Sequence, residues 1–184
     1  MTPTSWAAWA LLTLTVALVT VMAFRRRRAA RVDHDERAGR PRDLIDAELI
    51  YLETRFDVTE PVRLSAKLDR AYRKRSGVIV LAELKTRAVS RAFPSDVIQL
   101  SAQKLALEHK TGQGVAQHGY VFAQTPNGAL EAHRVQLISE AAVVALVRRR
   151  EAILAGLISP RSVASAKVCK TCAYQSICPD RHGM

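Results

Sequence analysis

Apolar and polar residues alternate along five stretches of the chain, and this period of two predicts β-strands. Ser76 and Gly77 separate the second and third stretches, so the first three indicate an antiparallel meander. Pro126, Asn127 and Gly128 separate the last two, a strong hairpin signal. The predicted strands cover residues 48–56, 62–73, 78–84, 119–123 and 130–137.

Two other stretches have the 3.6-residue apolar period of amphipathic helices. Pro94 suits the first turn of a helix that continues to about residue 110, where Thr111 and Gly112 end it. Ser139 can cap a second helix over residues 140–157, which carries a basic ridge at positions 148–150. Residues 78–84 are almost continuously apolar, which is typical of a central strand buried on both faces.

The N-terminal region has a different pattern, since residues 6–24 form an apolar run without any charged side chain. A helix of about 20 such residues crosses the hydrocarbon layer of a bilayer. Four arginines follow it directly, so the positive-inside bias places the C-terminal body in the cytoplasm. A signal peptide is the alternative, but a basic segment before the run and a cleavage site after it are missing. We therefore predict a single-pass protein of a bacterial-type inner or plasma membrane.

The resulting organisation has four parts. Residues 1–28 are the transmembrane anchor with its basic flank, 29–45 a charged linker, 46–158 the main domain, and 159–184 a tail that contains all three cysteines. The net charge of +11 is not confined to the membrane flank, because residues 45–184 alone carry +7. This excess favours an anionic partner, with nucleic acid ahead of anionic lipid.

Polar residues that can carry chemistry occur on the second and third predicted strands. Glu83 and Lys85 are two residues apart and share a face of their strand, and the preceding turn can bring Asp69 beside them. Two converging carboxylates suit Mg²⁺ or Mn²⁺, and a nearby ammonium can orient the attacking water or offset charge on a phosphate. An isolated pattern of this kind is common on exposed strands, but here it ends a buried one.

Four segments in order resemble motifs of the PD-(D/E)xK nuclease superfamily, in its RecB-like branch with the CRISPR-associated RecB-like exonucleases. LSAKLDRAY resembles the strand with hydrophobic-G-x-x-D, LAELKTR the ExK strand, DVIQLSAQKLAL the Q-x-x-x-Y helix, and CKTCAYQSICP the cysteine motif. The resemblance implies a restriction-endonuclease-like α/β (α+β) fold, with a mixed central sheet flanked by helices. The one N-terminal transmembrane helix predicted from the apolar run precedes this core. It also implies hydrolysis of phosphodiester bonds with Mg²⁺ or Mn²⁺.

The resemblance assigns roles to individual residues. Asp69 and Glu83 would be metal ligands, Lys85 the catalytic lysine, and Gln99 a catalytic residue on the following helix. Gln103 stands where the family usually has tyrosine. Residues expected to contact nucleic acid are Gln103, Lys104 and Arg87.

The chain also departs from the family pattern. Ala66 replaces the usual glycine, and no helix with the acidic or histidine first motif precedes the sheet. Candidate substitutes for the first motif are His34, Asp46, Glu48 and Glu53.

The tail has cysteines at the spacing C-x2-C-x5-C, followed by proline, and these are three of the four ligands of a [4Fe–4S] cluster in iron–sulfur relatives. Cys169, Cys172 and Cys178 could instead bind Zn²⁺, with His182, His34 or an exogenous ligand as the fourth, or be a relic.

Three functions remain in competition at this stage. The first is a membrane-anchored, metal-dependent deoxyribonuclease that acts exonucleolytically on single strands or ends, with DNA preferred to RNA. The second is a catalytically impaired module that binds nucleic acid at the membrane, and the third is a scaffold whose basic ridge meets lipid.

Overall fold

The computed structural model of the chain describes residues 40–161, 166–170, 172–173 and 178. The predicted anchor over residues 6–24 lies outside these residues, and none of the helices within them is long and apolar enough to cross a membrane. The elements in chain order are a short 3₁₀ turn at Arg42–Leu44, β1 at Glu48–Val58, β2 at Leu64–Arg73, β3 at Ile79–Thr86, α1 at Pro94–Thr111, β4 at His118–Gln124, β5 at Leu130–Gln136, α2 at Glu140–Leu154 and α3 at Ala166–Lys170.

The five strands form one mixed sheet in the order β1-β2-β3-β4-β5. All neighbouring strands are antiparallel except β3 and β4, which are parallel and connected through α1. A parallel pair needs such a crossover, because a short turn cannot return the chain to the same end of the sheet. The predicted mixed α/β sheet, all five strands and the helices at α1 and α2 are therefore confirmed.

Two groups of buried side chains form the core, and most members of each group share a face of the sheet. One contains Ile79 and Leu81 of β3 together with Leu100 and Leu107 of α1. The other contains Val80 and Ala82 of β3 with aromatic residues of neighbouring strands. Because successive β3 residues belong to different groups, this strand is buried on both faces, as its apolar sequence predicts.

The folded part begins before residue 46. Leu44, in the 3₁₀ turn, is fully buried in the second core group. Its neighbour Asp43 accepts hydrogen bonds from Tyr120 Oη at 2.6 Å and Lys74 Nζ at 2.8 Å. Residues 42–44 of the predicted linker are thus packed in the folded unit, because one apolar side chain and one carboxylate attach them to the sheet.

The alternation of β2 is interrupted at Asp69 and Arg70. Leu68 and Ala71, three residues apart, belong to the same core group, whereas in a regular strand they would face opposite sides. On the neighbouring strand, Glu53 lies between the residues that pair with Leu68 and Arg70 and has a backbone φ of 50°. It is the one non-glycine residue in the described ranges with a positive φ. The in-and-out alternation of β2 therefore changes phase at Asp69, while its pairing register with β1 is the same on either side of Glu53.

The chain divides into two compact units, residues 1–139 and 140–184. The second contains α2, which ends at Leu154 rather than near residue 157, and the short helix α3. The domain bounds predicted for residues 46–158 stay a prediction.

Candidate active site

Ala82 marks the position where β3 leaves β2. It pairs with Arg70 of β2 at the end of that ladder and with Tyr120 of β4 at the start of the other. Beyond this pair the ladder between β2 and β3 ends, and the gap between the two strands is called the opening here. Asp69 and Glu83, the next residues on each strand, occupy facing positions at the opening. Oδ2 of Asp69 accepts a hydrogen bond at 3.0 Å from the backbone N–H of Leu84, a donor that has no β2 backbone partner here. The opening is thus bridged by a carboxylate instead of a ladder bond.

Glu83 is the centre of the polar network. It is 3% exposed, and its Oε1 accepts hydrogen bonds from Lys85 Nζ at 2.7 Å and Gln99 Nε2 at 2.6 Å. Lys85 Nζ also donates to Gln99 Oε1 at 2.9 Å. The three predicted catalytic residues of β3 and α1 are therefore brought together, with each polar head bonded to the other two.

Gln103 connects this network to β2. Its Nε2 donates to Oε2 of Glu83 and to the carbonyl oxygen of Lys67, both at 2.9 Å. The residue is 2% exposed, and its Oε1 has no hydrogen-bond partner among the described residues. A direct contact of Gln103 with nucleic acid, as the sequence suggested, does not match this burial. The side chain instead links the β2 backbone at Lys67 to the Glu83 carboxylate on β3.

The environment of Asp69 favours its protonated form. Burial raises the pKa of Asp69, the hydrogen bond from Leu84 lowers it, and the negative charges of Glu83 and Glu53 raise it again, with a net increase. The negative charge of Glu83 opposes the ionisation of Asp69, so a cation placed between the two carboxyl groups would be stabilising.

Both cations among the residues predicted to contact nucleic acid, Arg87 and Lys104, form ion pairs. Arg87 donates two hydrogen bonds to Asp96, from Nη1 to Oδ2 at 2.9 Å and from Nη2 to Oδ1 at 3.0 Å. Asp96 also accepts from the backbone N–H of Phe93 at 2.8 Å and so caps the first turn of α1. Lys104 Nζ lies 2.5 Å from Glu108 Oε2, one helical turn away.

The candidates for a substitute first motif occupy different places. Asp46 forms an ion pair with Arg75 at 3.3 Å, and Glu48 lies 3.9 Å from Arg73. His34 lies outside the described residues. Among these candidates, Glu53 is the residue whose negative charge helps to raise the pKa of Asp69. Its carboxylate also contacts the ammonium of Lys67.

The donor set of the site fits a divalent cation of the magnesium type. Asp69 and Glu83 offer hard carboxylate oxygens, and water or a substrate phosphate can fill other positions. No group of three or more His, Cys, Asp or Glu side chains is assembled for a metal within the described ranges. Cys169, Cys172 and Cys178 are all free thiols, so a cluster or zinc site there stays a prediction.

Sequence reasoning did not identify the parts that hold the site together. Lys67 contributes through its backbone carbonyl oxygen and Leu84 through its backbone N–H, and backbone groups of this kind leave no signal in the choice of side chain. Asp96 had a usable signal, because an acid three residues after the start of a helix commonly accepts the first free N–H groups.

The fold and the site together define an α/β nuclease-like core. A family model of the PD-(D/E)XK nuclease superfamily matches residues 6–179, so the chain belongs to that superfamily. Its members are generally nucleases that hydrolyse phosphodiester bonds, and they typically use Mg²⁺ or Mn²⁺.

Two further comparisons were made with known proteins. A search of curated proteins found no match. Among solved structures, the chain is similar to one titled "Crystal structure of SSO0001", with 16% sequence identity and a TM-score of 0.48. That match covers 98% of this chain and 78% of the other.

Proposed function

We propose that the chain is a metal-dependent nuclease of the RecB-like branch that hydrolyses DNA phosphodiester bonds, on single strands or at ends. The observation that carries this proposal is the convergence of Glu83, Lys85 and Gln99 beside Asp69 at the opening between β2 and β3. Burial of a carboxylate with an ammonium and two amides costs desolvation free energy, and such arrangements of buried ionisable groups cluster at functional sites.

The two carboxylates, Asp69 and Glu83, would hold the cation. When bound, Mg²⁺ or Mn²⁺ supplies Lewis-acid activation of the phosphate and lowers the pKa of a coordinated water. The ammonium of Lys85 donates a hydrogen bond to Glu83 Oε1 and so lies beside the proposed metal site. From there it can orient the attacking water and offset the negative charge that develops on the phosphate.

Gln99 and Gln103 act as positioning residues in this scheme. Gln99 bonds both Glu83 and Lys85 and so fixes their relative orientation. Gln103 bonds the other carboxylate oxygen of Glu83 and the β2 backbone, so the carboxylate cannot rotate away from Asp69. Preorganisation of this kind avoids a cost of rearrangement during the reaction.

The test is cleavage of labelled single-stranded and duplex DNA by the full-length chain with Mg²⁺ or Mn²⁺. We expect Glu83→Gln and Lys85→Ala each to lower the rate by at least about 100-fold. Lys110→Ala, an exposed lysine at the end of α1, is the matched control and should keep the wild-type rate. Wild-type protein inactive with both metals, or cleavage unchanged in Lys85→Ala, would refute the proposal.

A catalytically impaired module that binds nucleic acid is the second candidate. It is favoured by one observation, that the described residues bring two carboxylates together at the site and not three. This candidate predicts binding that weakens steeply with salt, since phosphate contacts release counterions, without cleavage under any condition.

We also propose that residues 6–24 anchor the protein in a bacterial-type plasma membrane, with the nuclease domain in the cytoplasm. The support is the uncharged apolar run followed by Arg25–Arg28. Carbonate extraction of membranes tests it, and release of the full-length chain into the soluble fraction would contradict it.

For the tail, we propose that Cys169, Cys172 and Cys178 bind an iron–sulfur cluster or Zn²⁺, with support from their spacing alone. Metal analysis and visible absorption of anaerobically purified protein would distinguish these two from the absence of any metal.

A further inference from the structure

Binding of a polyanion needs cations that are exposed enough to meet phosphates, and the predicted ones are largely buried within ion pairs. The Arg87 side chain is 18% exposed and held by Asp96, and the Lys104 side chain is 12% exposed and held by Glu108. Lys85 is bonded to Glu83 and Gln99. A phosphate chain that reaches Asp69 and Glu83 must therefore be met by other side chains near the opening.

Lys67 is the exposed cation with a fixed link to the site. Its side chain is 52% exposed, two residues before Asp69 on β2, and Asp69 is close enough for its charge to act on the ammonium. Its carbonyl oxygen is bonded to Gln103, which is bonded to Glu83. The backbone of Lys67 therefore keeps its position relative to the carboxylates.

Arg55 extends the positive charge onto β1. It pairs with Lys67 in the β1–β2 register, is exposed, and is near enough for its charge to oppose that of Lys67. Adjacent strands lie about 4.8 Å apart, so the two cations form a continuous positive strip beside Asp69. Glu53 lies next to this strip and contacts the ammonium of Lys67.

We propose that Lys67 and Arg55 form a phosphate-binding subsite for the nucleic-acid strand, on the β1–β2 side of the Asp69 and Glu83 carboxylates. The subsite contacts phosphates next to the bond that is cleaved, and it rests on the proposed nuclease function. In the free protein the Glu53 carboxylate forms an ion pair with the ammonium of Lys67, and a phosphate oxygen replaces that carboxylate when the nucleic-acid strand binds. Glu53 therefore competes with the substrate.

The test measures binding without cleavage, by fluorescence anisotropy of a labelled single-stranded oligonucleotide with the full-length chain in EDTA. We expect Lys67→Ala and Arg55→Ala each to weaken binding by about 3- to 10-fold at moderate salt. Each should also reduce the slope of log K against log salt by about 1. Lys67→Arg keeps the charge and should bind nearly as the wild type does.

Glu53→Gln gives the sharper result. Because it removes a competing negative charge and frees Lys67, it should tighten binding, with a fold-change of about 2 to 5 at low salt. Arg75→Ala is the matched control, an exposed arginine paired with Asp46 beside the β2–β3 turn, and it should leave affinity and salt slope unchanged.

The outcomes separate this inference from the proposed function. Wild-type affinity and salt slope in both Lys67→Ala and Arg55→Ala, or weaker binding by Glu53→Gln, would overturn the subsite whether or not the protein cleaves DNA. Lack of cleavage by the wild type, with the expected changes in binding, would instead overturn the nuclease proposal and leave the subsite in place.

Discussion

The side-chain nitrogen of Gln103 lies 2.9 Å from Oε2 of Glu83, and both side chains are buried. The same nitrogen bonds the Lys67 carbonyl, so one amide holds a helix, β2 and β3 together at the candidate site. A residue that the family pattern marks as a substitution is thus a structural connection.

Replacement of this amide should be costly. Gln103→Leu leaves the buried Glu83 carboxylate and the Lys67 carbonyl each short of a donor, and we expect a loss of about 2 to 4 kcal/mol in the free energy of unfolding. Urea denaturation measures it. Gln117→Leu, at an exposed position, is the control and should change stability by less than about 0.5 kcal/mol. Equal stability of the two variants would show that the amide does not support the site.

The ion pair between Arg87 and Asp96 should stabilise the fold and not the complex with DNA. Arg87→Ala leaves Asp96, which is 3% exposed, without its partner, and the expected cost is about 3 to 5 kcal/mol. Arg91→Ala, which removes only an exposed guanidinium over the Phe93 ring, should cost about 0.5 to 1 kcal/mol. A stable Arg87→Ala protein with a reduced salt slope of binding would identify Arg87 as a phosphate contact instead.

The same pair has a pH signature. Burial favours the protonated form of Asp96, but the hydrogen bonds from Arg87 and from the Phe93 N–H outweigh it, so the pKa of Asp96 is lowered from 3.8. Its contribution to stability is therefore fully present above about pH 4 and is lost as the pH falls through the lower folded-state value. Asp96→Asn should remove this loss from an acid-unfolding series.

Asp69 should show the opposite dependence. Its pKa is raised above 3.8, by burial first, so the folded protein binds this proton more readily than the unfolded chain does. As the pH rises from about 4 through the raised pKa, the wild type should lose stability relative to Asp69→Asn, whose side-chain oxygen can still accept from Leu84. Urea unfolding at several pH values measures the difference. A difference that stays constant with pH would contradict the raised pKa.

The N-terminal boundary of the folded unit can be tested at two adjacent residues. Leu44 is fully buried and Ile45 is 59% exposed. Leu44→Ala should lower the free energy of unfolding by about 2 to 5 kcal/mol, whereas Ile45→Ala should change it by less than about 0.5 kcal/mol. Comparable effects at both positions would show that the 3₁₀ turn is not part of the core.

The sequence was sufficient for the order of elements because each has a local signal. The period of two predicts the strands, Pro94 marks the first turn of α1, and Gly112, with a φ of 70°, ends it. The sequence also grouped Asp69, Glu83 and Lys85, since alternation within β3 and the turn before it bring them together. Gln99 was added to this group by the family resemblance alone.

What sequence reasoning missed depends on contacts between distant segments. Leu44 and Asp43 lie in a charged region with no periodic pattern, and only the packing against β4 and β2 shows that they are part of the fold. The ion pair between Arg87 and Asp96 could not be predicted from the sequence, because nothing in the sequence distinguishes a paired arginine from a free one. The positive φ of Glu53 has no signal either, since glutamate rarely adopts that conformation.

The separation of β3 from β2 beyond Ala82 makes one amide proton a spectroscopic probe. Leu84 N–H bonds the side-chain carboxylate of Asp69, the proposed metal ligand, whereas the β3 residues from Ile79 to Ala82 pair with β2 in the regular ladder. In an amide NMR spectrum the Leu84 resonance should therefore move with the protonation of Asp69 and with added Mg²⁺. Neither response needs a substrate, so the state of the active site can be followed in the resting protein.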